Sequence, residues 1–374
     1  MRYDYAIFGA GVWGAWLART LHRSGKKVLL VDQHGPANNR ASSGGETRII
    51  RMGYGTKAIY TEWSLRALRL YKEFYAKTDP TLFHNTGMLW MCRDNDEFAR
   101  QSIHVFKKQD VRHEVLTRGE LDKRYPQVDF GACTWGLYEH DAGGLLARRG
   151  VQTVVRETVR EGLTYEQAFV APPGKHEYDA GTYVYACGPW LKKLFPEVLG
   201  NKINPTRQEV FYFGTSPGDM AFRIPRMPCW VDGGDSVYGL PDIENRGFKL
   251  AIDAHGPTVD PDTQDRAPTK AVIDHARAYI AKRFPSLKDA PLTQSEVCQY
   301  ENTANGDYVI DKHPGHANVW LLGGGSGHGY KHGPALAEYV AAALEGKGRI
   351  DPMFSLAAKA DVSAAQRNAT IPQK

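Results

Sequence analysis

The segment Tyr5-Ala6-Ile7-Phe8-Gly9-Ala10-Gly11-Val12-Trp13-Gly14 constrains the fold of this chain more than any other. A short apolar run predicts a buried strand, and three glycines spaced as GxGxxG follow it. Ala15 to Ser24 then carries Leu17, Ala18 and Leu21 at helical spacing. Gly25 is placed to end that helix, and Val28-Leu29-Leu30-Val31 predicts a second strand ending on Asp32. In such a unit Gly9 makes the tight turn, Gly11 lets the backbone approach a pyrophosphate, and Gly14 lets the helix pack on the strand. The positive end of the helix faces the phosphates, and Asp32 is spaced to accept hydrogen bonds from a ribose. The motif predicts a dinucleotide without separating NAD from FAD; a glycine turn with no ligand is the plain alternative.

The chain has 374 residues, 42% hydrophobic and 24% charged. That is enough for one large or two intertwined domains with a sizeable core. No run approaches the ~18 apolar residues of a membrane span, and the N-terminus has no apolar signal core. The five cysteines (Cys92, Cys133, Cys187, Cys229 and Cys298) are scattered, with neither a disulfide framework nor a CxxC metal site. These features predict a cytoplasmic protein, in which the Asn368-Ala369-Thr370 glycosylation triplet has no consequence. The net charge of +5 is spread along the sequence, which argues against nucleic acid and suits small anionic ligands.

Further along, Tyr60 to Tyr75 has a helical pattern, residues 82–141 alternate short strands with charged helices, and Tyr183 to Ala186 is a buried-strand run. Residues 204–303 read as β-rich. Val319 to Leu322 predicts a strand, Pro334 to Leu344 a helix, and the Ala-rich tail after Pro352 a mobile segment. Dinucleotide-domain character at both ends predicts a discontinuous cofactor domain with a second domain inserted. Gly323-Gly324-Gly325-Ser326-Gly327-His328-Gly329 lies between strand and helix without the GK[ST] of a phosphate-binding P-loop. Its amides are suited to the electron-rich end of a flavin ring, or to a plain tight connection.

Gly9-Ala10-Gly11, Thr47-Arg48-Ile49-Ile50-Arg51, Val297-Cys298-Gln299-Tyr300 and Ser326-Gly327-His328-Gly329-Tyr330-Lys331 occur together in this order. With them the chain closely resembles the monomeric sarcosine oxidase and N-methyltryptophan oxidase family, within the D-amino-acid-oxidase-like flavoproteins. The resemblance runs to about Pro352. It implies an α/β fold: a Rossmann-like FAD-binding domain of the GR2 type from residues 1–82, 142–203 and 303–374. An α+β substrate domain on a mainly antiparallel sheet would come from 83–141 and 204–302.

It also implies roles. Cys298 matches the cysteine joined covalently to the flavin. Lys249 matches the lysine that promotes oxygen reduction, and Arg51 and Lys331 match the clamp on the substrate carboxylate. Arg48 matches an arginine near the cofactor, Tyr238 and Tyr300 the aromatics beside the substrate, and His328 a flavin-side histidine. Gly325, Gly327, Lys331 and Ser43 join Gly9, Gly11, Gly14 and Asp32 as cofactor-side positions, and Ser42 to Gly45 are smaller than their family counterparts. Asp253 stands where sarcosine-specific members carry histidine, which favours a cationic or basic substrate group and leaves sarcosine in doubt; His255 allows a local realignment.

Each assignment has a bland rival. Taken without the resemblance, Cys298 reads as a buried small hydrophobe, and Arg51 as a surface residue; the rival for Lys249 is an edge-strand lysine with its amine in water. Tyr238 and Tyr300 read as core aromatics, and His328 as a cap on the glycine loop. The expectation is an FAD-dependent oxidase of a secondary or N-substituted amino acid. It would be monomeric, with an amino-acid substrate and oxygen as partners, no nucleic acid and no membrane. A fructosyl-amino-acid oxidase and a flavin dehydrogenase with another acceptor are the alternatives.

Overall fold

Apolar strands separated by glycine turns assemble into a parallel sheet whose carboxyl ends meet at the glycine motif. The computed structural model describes residues 2–363, so the Asn368-Ala369-Thr370 triplet and the end of the Ala-rich tail lie outside the described residues. Six strands run in the spatial order Val309–His313, His316–Gly323, Ala180–Tyr185, Tyr3–Phe8, Val28–Asp32 and Thr164–Gln167. All neighbours are parallel except the first pair. Ile7 pairs with Leu30 on one side and Val184 on the other, each fully buried. Helices Val12–Arg23, Ala147–Arg160 and Gly333–Leu344 pack together beside this sheet. Such two-sided burial explains why its strands read as continuous apolar runs.

A second sheet has eight strands, in the order Leu292–Asn302, Asn204–Phe213, Phe248–Ile252, Val237–Leu240, Cys229–Asp232, Met88–Cys92, Trp135–Glu139 and His113–Thr117. It is antiparallel apart from the pairing of Cys229–Asp232 with Met88–Cys92. A small third sheet joins Thr47–Ile50, Gly143–Leu146 and Phe83–His84 in that order, antiparallel throughout. The fold is therefore mixed α/β with a Rossmann-like unit and a mainly antiparallel sheet.

Two segments depart from the sequence reading. Within the stretch read as β-rich, Lys270–Arg283 is a helix that buries Ala276, Tyr279, Ile280 and Arg283. Tyr279 stacks on Trp230 and packs near Phe284. The Arg283 guanidinium meets Asp232 at 2.8 Å, both almost fully buried. The tail is also packed as far as it is described, because apolar side chains along it find partners. Phe354 is fully buried against Trp63 and Tyr308, and the Val362 amide donates to the Asn201 carbonyl at 2.9 Å.

Candidate active site

A cavity of about 550 Å³ runs along the carboxyl ends of the parallel strands. Gly9, Gly11, Asp32, Ser43, Arg48, Cys298, Tyr300, Gly325 and Gly327 line it; Gly14, His328 and Lys331 do not. Gly9 sits at φ +102°, where a Cβ would lie 2.4 Å from the Ala186 carbonyl oxygen. At Gly14 a Cβ would lie 1.9 Å from the Gly9 carbonyl oxygen, so that glycine serves the helix–strand contact alone. Gly11 is different. An added Cβ would meet nothing nearer than Ser43 Oγ at 3.5 Å, so the protein itself makes no demand for glycine there. A group brought against that backbone does.

Asp32 ends its strand with a well-held carboxylate, accepting from the Ala10 amide at 2.7 Å and the His34 amide at 2.8 Å. Burial raises its pKa, opposed by those two bonds. Ser43 Oγ accepts from the Val12 amide at 3.1 Å, one of the donors that open the helix. An open backbone cradle, a helix N-terminus and an acid at the next strand end form a donor set that fits the pyrophosphate and ribose of a dinucleotide.

At the other end of the cavity, Arg48 donates to the Thr47 and Ser42 carbonyls at 2.7 Å each and reaches Cys298 Sγ at 3.4 Å. Burial works against the Arg48 charge, but Cys298, Tyr238, Glu296 and Tyr300 outweigh it and raise its pKa. Lys249 is not an edge lysine with a wet amine. It is 2% exposed, and its Nζ donates to the Thr47 carbonyl at 2.9 Å and Thr47 Oγ1 at 3.0 Å. Burial, reinforced by Arg48, pushes its ammonium down to about 7. Tyr238 and Tyr300 meet hydroxyl to hydroxyl at 3.3 Å, and Tyr300 donates to Asp253 Oδ1 at 3.1 Å. They are half-buried and linked to an exposed carboxylate, unlike core aromatics. The His255 ring stands edge-on to Tyr300, with centroids 6.3 Å apart.

Arg51 is half-buried, its guanidinium 4.7 Å from the Tyr54 ring centroid and 4.8 Å from that of Trp90, and it donates to the Gly53 carbonyl. Lys331 is buried, its Nζ donating to Tyr54 Oη and the His328 carbonyl at 3.0 Å each. Burial and then Arg51 push its pKa well below the usual lysine range. Among the described residues neither cation makes an ion pair. The His328 ring bonds Tyr308 Oη at 2.9 Å and the Gly306 carbonyl at 2.8 Å. Its backbone amide donates to Gly325 at 2.9 Å, so this residue braces the glycine loop with both ring and backbone.

Two further acids belong to this region. Glu301 lines the cavity, 7% exposed; Oε1 accepts from the Gly325 amide at 3.2 Å, while Oε2 has no partner. Burial pushes its carboxyl up to about 7. Strand alternation one step beyond Tyr300 was the available signal for it. Glu139, fully buried behind Arg51, carried none. Nothing in its local sequence shows that it ends a strand beneath Met52 and Gly53.

The fold and cavity define a nucleotide-binding oxidoreductase of the Rossmann type, and the comparisons with known proteins agree. Residues 4–343 match the family described as DAO, FAD dependent oxidoreductase; the chain belongs to that family, and its cofactor is FAD. It is 29% identical over 362 residues to the N-methyl-L-tryptophan oxidase of Salmonella arizonae, covering 91% of this chain and 94% of that one. Against the monomeric sarcosine oxidase of Streptomyces avermitilis it is 29% identical over 357 residues, covering 91% and 92%. Among solved structures, the L-proline dehydrogenase of P. horikoshii superposes with a TM-score of 0.81 at 17% identity, covering 95% of this chain and 97% of that one. Amadoriase I of Aspergillus fumigatus gives 0.78 at 19%, covering 99% and 93%. Among the described residues no helix is long and apolar enough to cross a membrane.

Proposed function

We propose that this chain is a monomeric, cytoplasmic FAD-dependent oxidase of a secondary or N-substituted amino acid, with products imine and hydrogen peroxide. The observation that carries the reading is the pair Arg51 and Lys331. These two neighbouring basic groups contact neutral oxygens and aromatic faces, and among the described residues neither is in an ion pair. A carboxylate completes them: Arg51 offers a planar fork and Lys331 a point charge. FAD held in the cavity would supply the two-electron acceptor for the C–H beside the substrate nitrogen, with oxygen as the terminal acceptor.

The chain's own groups orient and polarise. Gly9, Gly11, Ser43, Asp32, Gly325 and Gly327 would hold FAD. Lys249 lies beside Arg48 and Cys298 and supplies a buried positive charge where charge develops on oxygen. Arg48 reaches Cys298 Sγ at 3.4 Å, and the cysteine lies in the cavity lining, which supports covalent attachment of the flavin at Cys298. We assign residues 1–82, 142–203 and 303–374 to the cofactor domain, and 83–141 and 204–302 to the substrate domain. Asp253, bonded to Tyr300, favours a second reading, a fructosyl amino acid with a bulky polar N-substituent.

A peroxide-release screen across sarcosine and other N-methyl, cyclic and glycated amino acids tests the assignment. Flavin reduction by other carboxylates with no peroxide from any amine would overturn it. Reduction by an amine followed by no rapid reoxidation in air-saturated buffer would make the protein a dehydrogenase.

A further inference from the structure

Glu139 is fully buried at the end of Trp135–Glu139, paired across the eight-stranded sheet with Met88 and His113. Its carboxylate accepts three N–H bonds: from the Met52 amide at 2.6 Å, the Gly53 amide at 3.1 Å and Trp90 Nε1 at 2.8 Å. Those donors bracket Arg51. Met52 and Gly53 follow it in sequence, Gly53 offers it a carbonyl, and Trp90 supplies one of the two rings about its guanidinium. The packing there leaves no slack, since a Cβ on Gly53 would lie 2.6 Å from Trp90 and 3.2 Å from Glu139 Oε1.

We propose that Glu139 is the positioning residue of the carboxylate clamp, fixing the Arg51 guanidinium between Tyr54 and Trp90 so that its fork is set before the substrate arrives. This inference rests on the reading of Arg51 as the clamp. A carboxylate suits the task because all three neighbours are donors. A glutamine at the same place turns an amide N–H toward one of them and loses that bond. Without it the Trp90 ring and the Met52–Gly53 backbone shift independently, and the fork is no longer prearranged.

The test uses the full-length, FAD-loaded chain and (methylthio)acetate, a carboxylate with a thioether in place of the oxidisable amine, titrated through the flavin spectrum. Glu139→Gln is expected to weaken this ligand on the order of tenfold to a hundredfold and to raise KM with kcat nearly kept. Arg51→Ala weakens it at least as much. In the double variant the Glu139 change adds nothing further, because it acts through Arg51. Additive losses, or an unchanged dissociation constant in Glu139→Gln, would overturn the inference. Unchanged binding in Arg51→Ala would instead overturn the clamp reading itself. Should Glu139→Gln fail to fold, Trp90→Phe keeps a ring over Arg51 and removes only the indole bond. It is expected to bind the ligand several-fold more weakly while keeping its flavin, and parental affinity there counts against the proposal.

Discussion

Glu301, in the cavity lining, and Lys249, buried beside Arg48 and Cys298, are an acid and a base whose titrations burial moves to about 7 from opposite sides. Lys249 is cationic below that value and neutral above it, so under the proposed role the charge available to oxygen fades as pH rises. Lys249→Met should slow the oxygen reaction by about 10²–10³ while flavin reduction by substrate stays within a few-fold. Stopped-flow rates in the parent should fall with rising pH, and those of the variant should be flat. For Glu301 the native state holds its proton more tightly than the unfolded chain, so ionisation costs native stability. That cost is absent below 4.5, grows up to about 7 and is constant above. At roughly 1.4 kcal/mol per pH unit it reaches about 3 kcal/mol. Glu301→Gln has no such titration. Thermal melts of the flavin-free chain should show its advantage over the parent growing from pH 5 to 7.5 and then levelling; a constant difference would contradict the assignment.

At the scale of elements, the contacts that hold the site are those with no room to adjust. The helix Val12–Arg23 lies on the strand Tyr3–Phe8 because Gly14 has no side chain to strike the Gly9 carbonyl oxygen. Gly14→Ala must push helix and strand apart, at a cost of about 1–3 kcal/mol. Because the cradle moves with the helix, FAD affinity, read by flavin fluorescence, should fall at least as steeply as the melting temperature. The helix Lys270–Arg283 is fixed differently, by Arg283, whose Nε and Nη2 both reach Asp232 while Tyr279 donates to the same carboxylate at 3.1 Å. Arg283→Met leaves Asp232 buried without its cation. Urea unfolding should show a loss of about 3–5 kcal/mol, with flavin spectra unchanged below the transition.

For the whole molecule, the cavity proposed to hold FAD is lined by residues brought from positions 9 to 330, which links cofactor binding to folding. With Cys298→Ala the flavin should leave on acid precipitation, whereas the parent should keep its colour. The melting temperature of the variant should then rise with added FAD, by the equivalent of about 2.7 kcal/mol at a hundred times the dissociation constant, and that of the parent should not. Local chemistry of the chain determined the strand–glycine–helix–strand opening with its backbone turn at Gly9 to Gly14 and the strand of Val319 to Leu322, because turn geometry and apolar periodicity act within a few residues. The Thr47–Arg51, Cys298–Tyr300 and Ser326–Lys331 elements were legible as resemblance. Tertiary structure alone decided the helix at Lys270–Arg283, whose buried face ends on the arginine that Asp232 neutralises. It alone buried Lys249 against Thr47, joined Tyr238 to Asp253 through Tyr300, and set Glu139 beneath Arg51. These partners lie 47 to 202 residues apart in sequence. A charge or a carboxyl acquires its character from the groups around it, and only the folded chain assembles those groups.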